Sequence, residues 1–225
     1  MIQSILFTKE IDKEWLRGQL GNEILIDTRP TLKFEYSPRE NIIQQVNADC
    51  KQYIITSQNS VKAIQSLSLD GHFFVVGKKT AQKIRELNFK VEIETDYAEE
   101  LAYQILHGNF DYNWNFFCGN TRRNLLVDEL TKYNNNVNEI ITYQSFPIEY
   151  KVENEYDAYV FFSPLSFQTF MKMNSIPKNS TIFTVGNTTT SEVKTTYPSH
   201  KIITATVPLL DVVVNNIKHC INDKK

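Results

Sequence analysis

The sequence has few of the features that mark several large classes of protein. Only three of its 225 residues are cysteines, Cys50, Cys118 and Cys220, and they are widely spaced. This pattern predicts neither a disulfide framework nor a paired-cysteine metal site. No stretch approaches the roughly 20 apolar residues of a membrane-spanning helix. The chain also begins without the basic start and long apolar segment of a secretion signal. We therefore expect a cytoplasmic protein with no membrane contact.

An excess of charge of one sign is also lacking. The chain carries 24 Lys and Arg against 26 Asp and Glu, a formal net charge of −2. Nucleic-acid-binding domains are usually strongly basic, so we expect no nucleic-acid partner. A small anionic ligand is still compatible with this charge, because free backbone N–H groups at helix starts bind anions without any side-chain charge.

Short motifs of common catalytic and cofactor sites are missing as well. The sequence contains no GxGxxG, GxxxxGK[ST], GxSxG or HExxH. Cys118 ends a predicted strand, a place where nucleophiles occur, but without a histidine base we interpret it as a buried structural thiol. Metal ligation is not expected either, because no second ligand stands at metal spacing from any of the four histidines, His72, His107, His200 and His219.

The sequence does contain a repeated order of strand, polar turn and helix. Alternation of this kind predicts an α/β fold with parallel sheets that helices cover on both faces. The apolar, β-rich runs that we interpret as strands are residues 5–8, 53–56, 73–76, 115–118, 159–162 and 182–185.

Part of this order occurs twice. Residues 53–84 and 159–193 share a strand, a Ser-rich turn and a helix, followed by a strand, a glycine turn and a helix. Gly77 and Thr80 of the first copy match Gly186 and Thr189 of the second. Any two such units look somewhat alike, but the shared Phe-x-Val-Gly-x-x-Thr pattern favours true repetition. We therefore predict two similar, flavodoxin-like α/β/α domains.

Two longer β-rich stretches, residues 23–37 and 138–152, indicate how the domains are connected. Each is about twice the usual strand length, and each contains a proline (Pro30 or Pro147) that a central strand would not tolerate. We interpret them as a two-stranded linker that crosses between the domains, with a cleft between them. The predicted boundaries are residues 1–35 with 150–225 for one domain, 38–146 for the inserted domain, and 28–37 with 140–151 for the linker strands.

Polar turns follow most of the predicted strands. Their Ser, Thr, Asn and Gly residues cap helix N-termini, and capping explains part of each turn. In open parallel sheets, however, such turns lie at the carboxyl ends of the strands, where ligands bind. Hydroxyl, amide and N–H groups together suit carboxylates or phosphates. Four cations either add to such a site or are ordinary surface charges: Lys78, Lys79, Arg122 and Arg123.

Six segments together resemble one protein family. They are ITSQNSVKAI, VVGKKTAQKI, FFCGNTRRNLL, ITYQSFP, VFFSPLSFQTF and TVGNTTTSEV. Their order and spacing resemble those of uroporphyrinogen-III synthases over about residues 53–193, with weaker similarity at both ends. Each segment alone is only a strand with a polar turn, so the resemblance depends on all six and on the two crossings.

The resemblance implies an enzyme of tetrapyrrole (haem) biosynthesis. Such a lyase closes linear hydroxymethylbilane into uroporphyrinogen III, with loss of water and inversion of ring D, and uses no cofactor. The substrate carries eight acetate and propionate carboxylates, which the donor-rich turns would suit. The resemblance also implies a monomer, with at most transient contact with the preceding enzyme of the pathway.

The family's motifs assign roles to particular residues. Tyr143, in ITYQSF, matches the family's tyrosine and would donate a proton to the departing hydroxyl; the alternative is a half-buried aromatic on a crossing strand. Lys9 stands where the family usually has arginine, and Asn187 where proline is common, so anion contact through Lys9 lacks the arginine fork. The substrate-binding residues that the resemblance implies are Thr56, Ser57, Gly77, Thr80, Gly119, Asn120, Ser163, Gly186, Thr188, Thr189 and Lys9.

Other classes of function remain open at this stage. The main alternative is a two-domain α/β binding module that holds a small polyanion without chemistry. A weaker alternative is a flavodoxin-like enzyme acting on nucleotides or sugar phosphates, which the missing phosphate-loop glycines disfavour.

Overall fold

The computed structural model describes residues 2–121 and 124–222. The chain divides into two compact units. The terminal unit contains both ends of the chain, Met1–Lys33 and Phe146–Lys225, and the central unit is the continuous segment Phe34–Ser145.

The helices and strands of the described residues alternate along most of the chain. The strands are β1 (Ser4–Phe7), β2 (Leu25–Thr28), β3 (Leu32–Tyr36), β4 (Gln52–Ile55), β5 (His72–Val76), β6 (Lys90–Thr95), β7 (Asn113–Gly119), β8 (Asn136–Pro147), β9 (Ala158–Phe161), β10 (Thr181–Thr184) and β11 (Lys201–Thr204). The helices are α1 (Lys13–Leu20), α2 (Arg39–Gln45), α3 (Gln58–Ile64), α4 (Lys78–Glu86), α5 (Ala98–His107), α6 (Leu125–Lys132), α7 (Pro164–Met171), α8 (Asn187–Thr196) and α9 (Leu210–Asn222).

The terminal unit is built on a parallel sheet with the strand order β11-β10-β9-β1-β2. Its central strand residues are apolar on both faces, and Ile5, Leu6 and Phe7 are fully buried. Helices α1 and α9 pack in one apolar cluster of this unit, and α7 and α8 pack in another. The N-terminal strand β1 lies between β2 and β9, so both ends of the chain are needed to complete this sheet.

The central unit has a six-stranded sheet with the order β3-β8-β7-β4-β5-β6. The pairs β8-β7, β7-β4, β4-β5 and β5-β6 are parallel. Helices α2, α3 and α4 contribute to one apolar cluster, and α5 and α6 contribute to a second. Helices therefore cover both faces of the sheet, which confirms the predicted α/β class.

The predicted repeat corresponds to a shared topology. In the central unit β4, β5 and β6 are neighbours in the sheet, and along the chain α3 connects β4 to β5 and α4 connects β5 to β6. In the terminal unit β9, β10 and β11 are neighbours in the same way, connected by α7 and α8. Strands β7 and β8 lie beside β4 just as β1 and β2 lie beside β9. Five strands of the central sheet therefore follow the order of the terminal sheet, and β3 is an additional strand at the edge of the central sheet.

The two long β-rich stretches take different forms. The first is two strands, β2 and β3, with Pro30 in the gap between them. The second is the single long strand β8, which ends at Pro147. In both places proline lies outside the interior of a strand, because it has no N–H group for the ladder. The change from one unit to the other falls after Lys33 in β3 and after Ser145 in β8.

Candidate functional site

The polar turns of each unit lie together at the carboxyl edge of its sheet, because the strands that precede them are parallel. In the central unit, Thr56 and Ser57 follow β4, Gly77 follows β5, and Asn120 follows β7. In the terminal unit the corresponding turns contain Lys9 after β1, Ser163 after β9, and Gly186, Thr188 and Thr189 after β10.

Tyr143 lies on β8 at the same edge of the central sheet. Its side chain is half-buried, and its hydroxyl donates a hydrogen bond to Ser57 Oγ at 3.1 Å. Burial raises the pKa of Tyr143 above that of a free phenol, while hydrogen bonding with Ser57 and Asn59 acts in the opposite direction. The phenol is therefore protonated at neutral pH, and it is held at the start of α3.

Ser57 and Ser163 begin equivalent helices of the two units. Ser57 caps α3 by accepting from the N–H of Asn59 at 3.2 Å, and Ser163 caps α7 by accepting from the N–H of Ser166 at 3.0 Å. Three residues further on, Ser60 and Ser166 are both buried. The two turns are alike in structure, but only Ser57 also accepts a hydrogen bond from the Tyr143 hydroxyl.

The buried serines join hydroxyl clusters beneath these turns. Ser166 Oγ lies 2.9 Å from Thr8 Oγ1 and 2.7 Å from Thr31 Oγ1 in the terminal unit. In the central unit Thr142 Oγ1 donates to Ser60 Oγ at 3.0 Å. These contacts fix the ends of neighbouring strands against a helix start.

The two aligned glycine turns differ in backbone conformation. Gly77 precedes α4 with φ = 93°, in the left-handed region that favours glycine, whereas Gly186 precedes α8 in extended backbone with φ = 178°. Thr80 and Thr189, at the third position of these helices, are only 5% and 3% exposed. Thr188 is exposed.

The third threonine of this turn, Thr190, has a structural role. Its hydroxyl lies 2.5 Å from Thr184 Oγ1 and 2.6 Å from Thr204 Oγ1, and it donates to the carbonyl of Gly186 at 3.2 Å. It therefore ties the ends of β10 and β11 to the first turn of α8.

Asn120 connects the end of β7 to β8. Its side-chain oxygen accepts from the backbone N–H of Ser145 at 2.8 Å and from the Ser145 hydroxyl at 3.2 Å. Its own N–H donates to the carbonyl of Tyr143 at 3.2 Å. Asn120 thus holds the strand segment from Tyr143 to Ser145.

The cations predicted at the rims differ in their surroundings. Lys9 is exposed, with its ammonium 5.5 Å from the centre of the Phe162 ring, which is a cation–π distance. Lys78 lies 3.8 Å from a carboxylate oxygen of Asp96 in an exposed ion pair. Lys79 is half-buried at the start of α4. Arg122 and Arg123 lie outside the described residues.

The structure adds residues to this edge that the sequence did not indicate. Phe34 on β3 contacts the ring of Tyr143 edge-on, with ring centres 5.9 Å apart. Tyr36, two residues on, donates to Asn59 Oδ1 at 3.2 Å, and Lys62 lies 4.8 Å from the centre of its ring. Both aromatics are more than a third exposed. Two aromatic residues close together on a predicted strand could have indicated this part of the site, but the segment was interpreted only as a linker strand between the domains.

Cys118 is buried, as expected of a structural thiol, and its sulfur lies 3.8 Å from the Ile140 carbonyl oxygen.

In the described part of the chain, no three His, Cys, Asp or Glu side chains are grouped closely enough to hold a metal ion. Among residues 2–121 and 124–222, no helix is both long and apolar enough to cross a membrane.

The fold and the turns define a class of protein: an α/β protein of two parallel-sheet units whose helix starts are suited to an anionic ligand. The family model for uroporphyrinogen-III synthase HemD matches residues 20–211. This match spans most of the chain, and the protein therefore belongs to the uroporphyrinogen-III synthase family.

Comparison with solved structures supports the same fold. Uroporphyrinogen-III synthetase from Helicobacter pylori is 14% identical, with a TM-score of 0.67 over 96% of this chain and 98% of the other. A mutant uroporphyrinogen III synthase from the extremely thermophilic bacterium Thermus thermophilus is also 14% identical, with a TM-score of 0.69 over 99% of both chains. Comparison with curated protein sequences yields no match.

Proposed function

We propose that the protein closes hydroxymethylbilane into uroporphyrinogen III, with Tyr143 as the proton donor. Membership of the family makes it a cyclising lyase of tetrapyrrole biosynthesis. The observation that supports the assignment to Tyr143 is its position: a half-buried phenol with a raised pKa, at the edge where the donor-rich turns of the central unit meet.

The reaction begins when the carbon–oxygen bond of the substrate's hydroxymethyl group breaks. A proton from the Tyr143 hydroxyl converts the departing group into water, and the pyrrole nitrogen, which keeps its hydrogen, supplies electrons to form an azafulvenium ion. The substituted carbon of ring D attacks the new electrophilic carbon and gives a spiro intermediate. Fragmentation and reclosure then invert ring D, and the proton released as the macrocycle regains its pyrrole form restores the phenol.

Ser57 supports this transfer at both stages. Before transfer the phenolic hydrogen points to Ser57 Oγ, which holds the hydroxyl in place. When that hydrogen turns to the leaving oxygen, the Ser57 hydroxyl rotates to donate to the phenolate. Burial raises the pKa of Tyr143 and keeps the phenol protonated, while hydrogen bonding with Ser57 opposes this shift. Tyr143 is thus a weak acid, and the Ser57 hydroxyl stabilises the phenolate that forms when Tyr143 gives up its proton.

The turns bind the substrate's carboxylates in this proposal. Thr56, Ser163, Thr188 and Lys9 offer hydroxyl or ammonium donors at half-buried or exposed positions. Thr80 and Thr189 are buried, so we propose that they act by shaping the first turns of α4 and α8, whose free N–H groups face the ligand. Gly77 and Gly186 open these two turns. Asn120 holds the strand beside Tyr143.

The isomer produced from fresh hydroxymethylbilane tests the function. Spontaneous closure gives the type I isomer, whereas the proposed reaction gives type III. We expect the purified protein to yield type III in excess, at a rate proportional to enzyme concentration. Production of type I alone would contradict the proposal. If the protein also bound the bilane tightly without consuming it, the binding-module alternative would replace it.

We also propose that the protein acts as a cytoplasmic monomer that contacts the preceding pathway enzyme only transiently. Sedimentation at the protein concentration of the assay tests this state, and a dimer with higher specific activity would contradict it.

A further inference from the structure

An irregularity in the central sheet lies beside Tyr143. Strands β7 and β8 pair in a constant register from Asn113 with Asn136 to Cys118 with Ile141. The next pair is Gly119 with Tyr143, so Thr142 is an extra residue on β8. An extra residue of this kind is a β-bulge, which re-aims the side chains that follow it. The bulge therefore sets Tyr143 opposite Gly119.

The ring of Tyr143 lies across Gly119. A Cβ atom placed on Gly119 would come within 2.7 Å of both the Tyr143 hydroxyl oxygen and Cε2, and closer still to Cζ. Real Cβ atoms do not approach other atoms so closely. Gly119 is buried beneath this ring, so a Cβ at this position would have to displace the ring. The phenol reaches from β8 over the end of β7 to Ser57, which follows β4.

The need for glycine at this position is steric. Among the described residues, the glycines with φ between +20° and +160°, where other residues are strained, are Gly21, Gly71 and Gly77. Gly119 is not one of them, so an alanine there would not strain the backbone. What an added methyl group would displace is the ring and hydroxyl of Tyr143.

We infer that Gly119 is a positioning residue that acts through Tyr143, and that it is not a substrate contact. The inference rests on the proposed function for its effect on catalysis. The absent Cβ and the Thr142 bulge together leave a path along which the phenol reaches Ser57. A larger residue at 119 moves the acidic hydroxyl away from the point of proton transfer while the donor-rich turns of the site stay unchanged.

Gly119→Ala is the direct test. We expect kcat for type III formation to fall by about 100-fold, the loss typical of a misplacement of about 1 Å, with KM changed less than threefold. Gly18→Ala is the matched control, because a Cβ at Gly18 in α1 would meet nothing within 4 Å apart from the adjacent residues and the backbone of its own helix. The control should keep the wild-type kcat. A rise in KM at constant kcat would show that Gly119 contacts substrate and would overturn the inference.

Combining the substitution with changes at Tyr143 separates positioning from other roles. Tyr143→Phe removes the hydroxyl, so adding Gly119→Ala to it should lower kcat by less than twofold more. Tyr143→Ala removes the ring, so Gly119→Ala should be tolerated in that background even if it prevents folding of the wild type. A double variant that still fails to fold, or whose kcat falls a further 100-fold below that of Tyr143→Phe, would overturn the inference.

A spectroscopic readout keeps this result independent of the synthase activity. In protein labelled with ¹³C at tyrosine Cζ, the Tyr143 resonance is identified by its loss in Tyr143→Phe. We expect Gly119→Ala to shift both its position and its titration, and Gly18→Ala to shift neither. If type III product never forms, the proposed function fails while this measurement still decides the inference. An unchanged Tyr143 titration in Gly119→Ala would overturn it.

Discussion

Replacing Ser57 with alanine should cost more stability than replacing Ser163, although each serine caps a helix with its side-chain oxygen. Ser57 accepts from the N–H of Asn59, and Ser163 from the N–H of Ser166. Only Ser57 also accepts from Tyr143. The pair of variants therefore isolates the contact between Ser57 and the proposed acid.

The size of the difference follows from these contacts. Loss of a serine cap costs about 1 kcal/mol of stability. A hydrogen bond between neutral side chains adds about 1 kcal/mol net. We therefore expect Ser57→Ala to lower the free energy of unfolding by about 2 kcal/mol and Ser163→Ala by about 1 kcal/mol.

Urea unfolding followed by circular dichroism measures both losses under one set of conditions. The Tyr143 titration provides a second readout, since burial raises the pKa of Tyr143 and hydrogen bonding with Ser57 opposes that rise. Ser57→Ala should raise that pKa further, and Ser163→Ala should leave it unchanged. Equal stability losses with an unaltered Tyr143 titration would refute the reasoning.

Two further predictions concern the terminal unit. Ser166→Ala removes a buried hydroxyl that bridges Thr8 and Thr31, and it should cost about 1–3 kcal/mol in urea unfolding because partner hydroxyls lose a contact; no loss would contradict the bridge. Burial raises the pKa of Tyr150 to about 12, and an unfolded tyrosine titrates near 10. The folded protein keeps Tyr150 protonated more strongly than the unfolded chain does. The resulting contribution to the free energy of unfolding is therefore fully present below about pH 10 and is lost as the pH rises to about 12. Wild type should lose more stability than Tyr150→Phe across this range, and equal losses would contradict the shift.

The strands that form the buried centre of each sheet were predictable because their sequences are short apolar runs. Residues 5–8 and 182–185, for example, correspond to β1 and β10 within one residue. Strands β6 and β11 and helix α2 were not predicted from the sequence. Strands β6 and β11 each lie at one edge of a sheet and are mostly only partly buried, so their sequences lack a clear apolar pattern.

The site was predictable only in part. Polar residues after apolar strands indicated the turns, because parallel strands place their carboxyl ends at one edge. The contact of Tyr143 with Ser57 depends on sheet order and on one extra residue in β8, which no local pattern reports. The packing of Phe34 on Tyr143 likewise depends on β3 lying beside β8. Long-range register, more than residue type, decides these contacts.

The rate of type III formation in Tyr143→Phe, beside Tyr112→Phe, tests the central claim most directly. Tyr112 is exposed and precedes β7, at the opposite end of that strand from Gly119. Loss of a general acid typically costs 10²- to 10⁴-fold, so we expect Tyr143→Phe to lose at least about 100-fold in kcat. Tyr112→Phe should keep the wild-type rate, and both variants should fold. A Tyr143→Phe enzyme that forms type III product at the wild-type rate would contradict the account.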